Sequence, residues 1–236
     1  MIDIRPFGTL GGADHGWLKA RHHFSFASYH DPARMNWGRL RVWNDDEIAP
    51  GTGFDPHPHR DMEIITYVRE GAITHRDSLG NEGRTAAGDV QIMSAGTGVV
   101  HSEYNLEPET TRIFQIWIIP DRRGVKPNWG AKQFPRAARE AGFEVLASGR
   151  PGDENSGALP LNVDGAVLAA TLKAGQTLRQ PLAEGRAAYL VPARGAVTVN
   201  GVALSARDGA GIVDETTIEI TAREDAELVL VEVAKE

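Results

Sequence analysis

Short runs of β-branched and aromatic residues punctuate this chain, each bounded by Gly, Pro, Asp or Asn. Residues 39–45 (RLRVWND), 63–68 (EIITYV), 89–94 (DVQIMS) and 112–119 (RIFQIWII) form one group. Residues 166–172, 187–193, 196–204, 209–214, 217–222 and 227–234 form a second. Such runs read as strands, because branched and aromatic side chains pack well on a pleated surface. Asn44-Asp45-Asp46, residues 79–83 and Ala87-Gly88-Asp89 read as turns. Closely spaced strands without helical periodicity predict an all-β sandwich or barrel. Residues 120–160 differ, being rich in Pro, Gly and charge, and read as a linker with a short helix near 136–140. The predicted organisation is an N-terminal domain over 1–125, a linker region over 126–160 and a C-terminal domain over 161–236.

Length agrees with that division, since 236 residues suffice for two domains of about 100–120 residues. A net charge of −7 argues against direct nucleic-acid binding, which rests on clustered Lys and Arg. No apolar run approaches the roughly 18 residues of a membrane span, and MIDIRPFGTLGG lacks the basic and apolar regions of a signal peptide. No membrane association is therefore expected, and the cytoplasm is the expected location. Cysteine is absent, which removes disulfides, thiolate metal sites and thiol nucleophiles. A metal site here must use imidazole and carboxylate, ligands that suit iron, nickel, manganese, copper, cobalt or zinc.

The two halves are chemically unequal. All eight histidines (15, 22, 23, 30, 57, 59, 75 and 101) lie at or before His101, and all five tryptophans at or before Trp129. The halves nevertheless look like copies. Residues 66–73 (TYVREGAI) align with 189–197 (YLVPARGAV), with Gly71 over Gly195. That offset of 124 sets His57 over Pro181 and His59 over Ala183, so the second copy keeps strands and turns and loses the histidines.

Two segments carry candidate chemistry. Residues two apart on a strand point the same way, so His57 and His59 share a face, as do His101 and Glu103. Asp61 and Glu63 keep the parity of His57 and His59 if that strand stays regular. A lone HxH is ordinarily a packed or surface pair; a second His and carboxylate on another strand argue for a metal. Three imidazoles and one carboxylate would leave one or two coordination positions open for substrate or dioxygen. Strand parity alone leaves the carboxylate open between Glu63 and Glu103.

Both segments resemble the cupin motifs. Gly51, His57, His59 and Glu63 fit the first, with the closing Gly71 one residue late; Gly98, His101 and Asn105 fit the second, with Gly96 at its proline position. Residues 57–81 and 93–105, with 21–32 and 41–59, closely resemble the pirin family. The resemblance is strong over 1–125, and the remainder fits as a diverged second cupin barrel. It implies an all-β bicupin, two stacked double-stranded β-helix (jelly-roll) barrels with metal only in the first. It further implies one divalent transition metal, Fe(II) in pirins, held by His57, His59, His101 and Glu103. Glu63 occupies the place of the carboxylate ligand of many other cupins and would here support the ligands or the fold.

Several pirins resemble flavonol dioxygenases. The implied partners are thus a flavonol such as quercetin and dioxygen, with Glu103 as the catalytic proton acceptor. The alternative is a regulatory or redox-sensing protein that acts through a protein partner. A monomer is expected. His22, His23 and His30 read as hydrogen-bonded members of a segment capping the barrel, and His75 as a structural or surface residue. Gln115 shares strand parity with Ile113 and Trp117 and would face the barrel interior, while Phe54 and Met93 would line a pocket or fill core.

Overall fold

The computed structural model of the chain describes residues 1–235, Arg136 by its backbone alone. The N-terminal half contributes β1 (Ile2–Arg5), β2 (Gly11–Asp14), β3 (Leu18–His22), β4 (Leu40–Ile48), β5 (Thr52–His59), β6 (Glu63–Glu70), β7 (Ala72–Asp77), β8 (Glu82–Ala86), β9 (Val90–Ser94), β10 (Val99–Asn105) and β11 (Thr111–Ile118). Next come β12 (Asn128–Lys132), α1 (Arg136–Glu140), β13 (Glu144–Ser148) and β14 (Leu159–Pro160). The C-terminal half adds β15 (Gly165–Leu172), β16 (Thr177–Pro181), β17 (Arg186–Arg194), β18 (Val197–Val199), β19 (Val202–Leu204), β20 (Gly209–Val213), β21 (Thr217–Ala222) and β22 (Ala226–Ala234).

These strands build two stacked barrels with matching strand orders. In the first, a seven-stranded sheet β12-β9-β6-β11-β4-β3-β2 is closed by a four-stranded sheet β5-β10-β7-β8. In the second, β1-β20-β17-β22-β15-β13-β14 is closed by β16-β21-β18-β19. The halves exchange their outer strands. β1, from the N-terminus, pairs with β20 of the second barrel, and β12, from the segment read as a linker, pairs with β9 of the first. That segment also supplies β13, an antiparallel partner of β15, and the short helix falls at Arg136–Glu140 as read. The expected repeat is visible in the glycines: Gly71 and Gly195 both have positive φ, and a Cβ on either would strike the next hairpin, at Thr111 and at Asp225 respectively.

The two seven-stranded sheets face each other, and this explains why their strands are near-continuous apolar runs. On β6, Ile65 and Tyr67 join a core shared with Leu146, Val167, Val191, Val229 and Val231 of the second barrel. The alternate residues Ile64 and Val68 face the interior of their own barrel. β4 is buried on both faces for the same reason, Asp45 and Asp46 included. Polar ties cross the interface: His23 Nδ1 lies 2.8 Å from the Tyr189 hydroxyl, and the Tyr67 hydroxyl donates to Glu227. Among the described residues no helix is long and apolar enough to cross a membrane.

Candidate metal centre

β5 and β10 are antiparallel neighbours in the small sheet of the first barrel, with His101 opposite His57 and Val99 opposite His59. Period-two alternation turns His57 and His59 to the same side, and the pairing brings His101 to meet them. Ring centroids are 4.5 Å (His57–His101), 4.8 Å (His57–His59) and 4.9 Å (His59–His101) apart. One ligand nitrogen from each lies within 4.8 Å of the others.

The donor set fits a divalent transition metal. His57 Nδ1 donates to the Asp55 carbonyl at 2.7 Å, which leaves the Nε2 lone pair facing His101 Nε2 at 3.1 Å. With metal–nitrogen bonds of about 2.0–2.1 Å, adjacent ligand atoms stand roughly 2.9–3.4 Å apart, so this spacing is that of two ligands on one ion. Protonation favours the same state. Burial, then His57 and His75, push His101 down to about 3 against the pull of Asp77. Burial, then His101 and His57, push His59 down to about 4, opposed by Glu103. Neutral imidazoles with free lone pairs are what a metal requires.

The two candidate carboxylates part company. A bulge between His101 and Glu103 sets Glu103 opposite Phe54, where it lines the same cavity as the imidazoles. Glu103 is 2% exposed and accepts three side-chain hydrogen bonds: Thr66 Oγ1 (2.9 Å) and Gln91 Nε2 (2.7 Å) to Oε1, and Gln115 Nε2 (2.7 Å) to Oε2. A carboxylate offers about four lone-pair sites, so one remains, on Oε2. Glu63 lies elsewhere. The strand does not stay regular: β5 ends at His59, Asp61 takes a positive φ, and Glu63 opens β6 in the other sheet. Glu63 accepts from Ser94 Oγ (2.7 Å) and from the Asn162 backbone (3.1 Å), and burial raises its carboxyl above the usual range. It ties the first barrel to the segment that leads into the second.

A cavity of about 670 Å³ opens onto the imidazoles and Glu103. Its walls are aromatic. Trp17 meets Phe54 edge-on at 5.3 Å, Phe26 meets Trp117 at 5.4 Å, and Trp117 meets His59 at 5.0 Å. One polar wall carries His22, Asn44, Asp46 and Gln115. Asp46 is 2% exposed, its Oδ1 has no hydrogen-bond partner, and burial, then Asp45 and Glu103, raise its carboxyl well above the usual range.

Of the residues singled out in the sequence, Phe54 and Gln115 line this cavity, whereas Met93 packs in an apolar cluster and borders a small void behind His101 and Glu103. His75 is no surface residue: it is 1% exposed beneath His101. His22 and His23 separate as strand neighbours do, His22 bonding Asn44 at the cavity and His23 bonding Tyr189 at the barrel interface, while His30 is exposed. Sequence reading missed Trp17, Phe26, Trp117 and Asp46 as cavity walls. For Asp46 the local signal misled: Asn44-Asp45-Asp46 reads as a turn, but all three lie inside β4, where the alternate residues Asn44 and Asp46 reach the cavity.

Comparison with known proteins agrees with this geometry. The family model described as Pirin matches residues 4–118, and that of a quercetinase C-terminal cupin domain matches residues 145–233. A pirin-like protein of Caulobacter vibrioides is 68% identical over 99% of this chain and 100% of its own length. A quercetin 2,3-dioxygenase of Escherichia coli K12 is 44% identical over 98% of this chain and 97% of its own. A crystal structure of the bacterial pirin YhhW from Escherichia coli in complex with nickel(II) superposes with a TM-score of 0.93 at 40% identity, covering 100% of both chains.

Proposed function

The chain belongs to the pirin family, and on that premise we propose that it is a metal-dependent dioxygenase that opens a flavonol such as quercetin. The observation that carries this reading is the placement of three converging imidazoles and one carboxylate at an aromatic-walled cavity of about 670 Å³, within the range typical of small-molecule sites. His57, His59, His101 and Glu103 are the proposed ligands and Fe(II) the proposed metal; nickel is the ion named in the YhhW complex. The carboxylate is Glu103 rather than Glu63 because only Glu103 lines the cavity with a lone pair to spare. The second barrel, without histidine, would be structural.

A metal bound here supplies Lewis acidity to a coordinated hydroxyl and open coordination positions. The chain's own groups do the rest. Trp17, Phe26, Phe54 and Trp117 hold a flat polycyclic substrate between ring edges and faces and keep water out. Asp46, whose Oδ1 has no hydrogen-bond partner among the described residues, offers a carboxyl oxygen at the cavity for a hydrogen bond with a polar group of the substrate. Glu103 accepts the proton of the flavonol 3-hydroxyl at Oε2. Since Thr66, Gln91 and Gln115 occupy its other acceptor sites, Glu103 serves either as ligand or as base at a given moment.

The test is aerobic loss of quercetin's long-wavelength absorbance with protein loaded with iron, nickel or manganese. Turnover is expected with at least one; fully loaded protein inert with all three would overturn the dioxygenase reading and leave the partner-binding alternative. Glu103→Gln is expected to lower turnover by a larger factor than metal content.

A further inference from the structure

His75 is buried in the barrel yet belongs to neither apolar cluster of its interior. Its Nε2 lies 3.1 Å from Asp77 Oδ2, and its Nδ1 lies 3.4 Å from His101 Nδ1. The ring stacks on Trp129 of β12, at 5.0 Å and 10° between planes. Asp77 is itself held: it accepts from the backbone of Leu79 (2.9 Å) and Asn81 (3.0 Å) and from Asn81 Nδ2 (2.9 Å). Burial would raise its carboxyl, but the bonds from Asn81, His75 and Leu79 prevail and hold it below the usual range.

We infer that Asp77 and His75 form a positioning relay that presets the tautomer of His101 for metal binding. Hydrogen-bond direction carries the argument. An ionised carboxylate only accepts, so His75 Nε2 donates to Asp77. A neutral imidazole then has Nδ1 as acceptor, and His101 must donate to it through Nδ1. The His101 lone pair is thereby left on Nε2, 3.1 Å from His57 Nε2. His57 has spent its own proton on the Asp55 carbonyl. No proton remains for that 3.1 Å contact, so two lone pairs face each other, and only a cation between them relieves the arrangement. Trp129 keeps the His75 ring in the plane the relay needs.

The inference rests on metal binding by the three imidazoles and is independent of what the loaded protein turns over. Its test is the Kd for Ni(II) and Co(II), by competition with a chelator near neutral pH, together with the visible spectrum of the Co(II) form. His75→Phe keeps ring and stacking but removes the acceptor; it is expected to weaken binding by about 10–100-fold and to alter the Co(II) bands. His75→Asn loses the stacking but sets an amide oxygen near the Nδ1 position, and is expected to bind close to wild type. Asp77→Asn, a milder change for folding, is expected to lose affinity in the same direction by less. Tight binding by wild type and His75→Phe alike, or equal loss in the Phe and Asn variants, would overturn the relay. Wild-type protein that binds neither metal would overturn the site itself, and the relay with it.

Discussion

The two barrels are closed by the same strand order, but their interiors are filled on opposite principles. In the second, Leu168, Leu190, Leu230, Ile212, Ile218 and Ile220 belong to a single apolar cluster between the two sheets. In the first, the interior holds two smaller clusters, one around Ile48, Val68 and Ile113 and the other around Ile64, Met93 and Val99. A polar layer lies between them. On β6 the inward sequence is Val68, Thr66, Ile64, and on its neighbour β11 it is Ile113, Gln115, Trp117, in register. Glu103 and Gln91 complete the layer through bonds to Thr66 and Gln115 or to each other. The offset of 124 sets Leu190 over Thr66, and the strand partner of Leu190 is Leu230 where that of Thr66 is Gln115. One framework thus carries a continuous apolar core in one copy and the candidate metal centre in the other. The difference is a few inward positions, because the shared interface between the large sheets does not involve them.

The sharpest way to break this comparison is at the metal. His101→Ala is expected to abolish bound metal, read by elemental analysis, while far-UV circular dichroism shows an unchanged fold. Next is the polar layer itself. Glu103→Leu strands the donors of Thr66, Gln91 and Gln115 and is expected to cost about 3–5 kcal/mol of metal-free stability in urea. Adding Thr66→Val, Gln91→Leu and Gln115→Leu makes the layer resemble the second barrel, and stability should recover to wild type or above. Failure to recover would mean that more than these inward positions separates the barrels. In the second barrel, Ile220→Ala is expected to cost about 2–5 kcal/mol through an apolar cavity, with metal content unchanged.

Near neutral pH the smallest effect concerns the interface the barrels share. Burial, then Arg5 and further nearby cations, push His23 down from 6.5 to about 3. Below about pH 6.5 the unfolded chain takes up a proton that folded His23 refuses, so stability falls as pH falls, by about 1.4 kcal/mol per unit until near pH 3. His23→Gln should flatten that part of the stability profile relative to wild type. An unchanged slope would show that His23 is not among the groups linking acid to separation of the barrels.

Much of this was legible in one sequence. Strands read from branched and aromatic runs are present in the large stacked sheets, where such runs are buried on both faces, but 196–204 is a hairpin of β18 and β19 turning at Asn200-Gly201 and not one strand. His57, His59 and His101 were legible because strand parity is local: residues two apart share a face whatever the rest of the chain does. Parity failed for Glu63, since a single left-handed residue, Asp61, ends one strand and lets the next begin in another sheet. The segment 126–160 reads as a linker by composition, yet β12 adds an edge strand to the first barrel and β13 and β14 extend the large sheet of the second, a pairing that backbone hydrogen bonds make with little regard to side chains.

The sequence by itself determined the class of fold, the unequal chemistry of the halves and the three imidazoles, because each follows from residue type and spacing over a few positions. Tertiary structure alone decided that the outer strands are exchanged, that Glu103 and not Glu63 lies at the cavity, and that His75 and Asp77 stand behind His101. Those outcomes depend on which strands become neighbours across β10, β7 and β12, and strand neighbours far apart in sequence are set by the closure of the whole barrel.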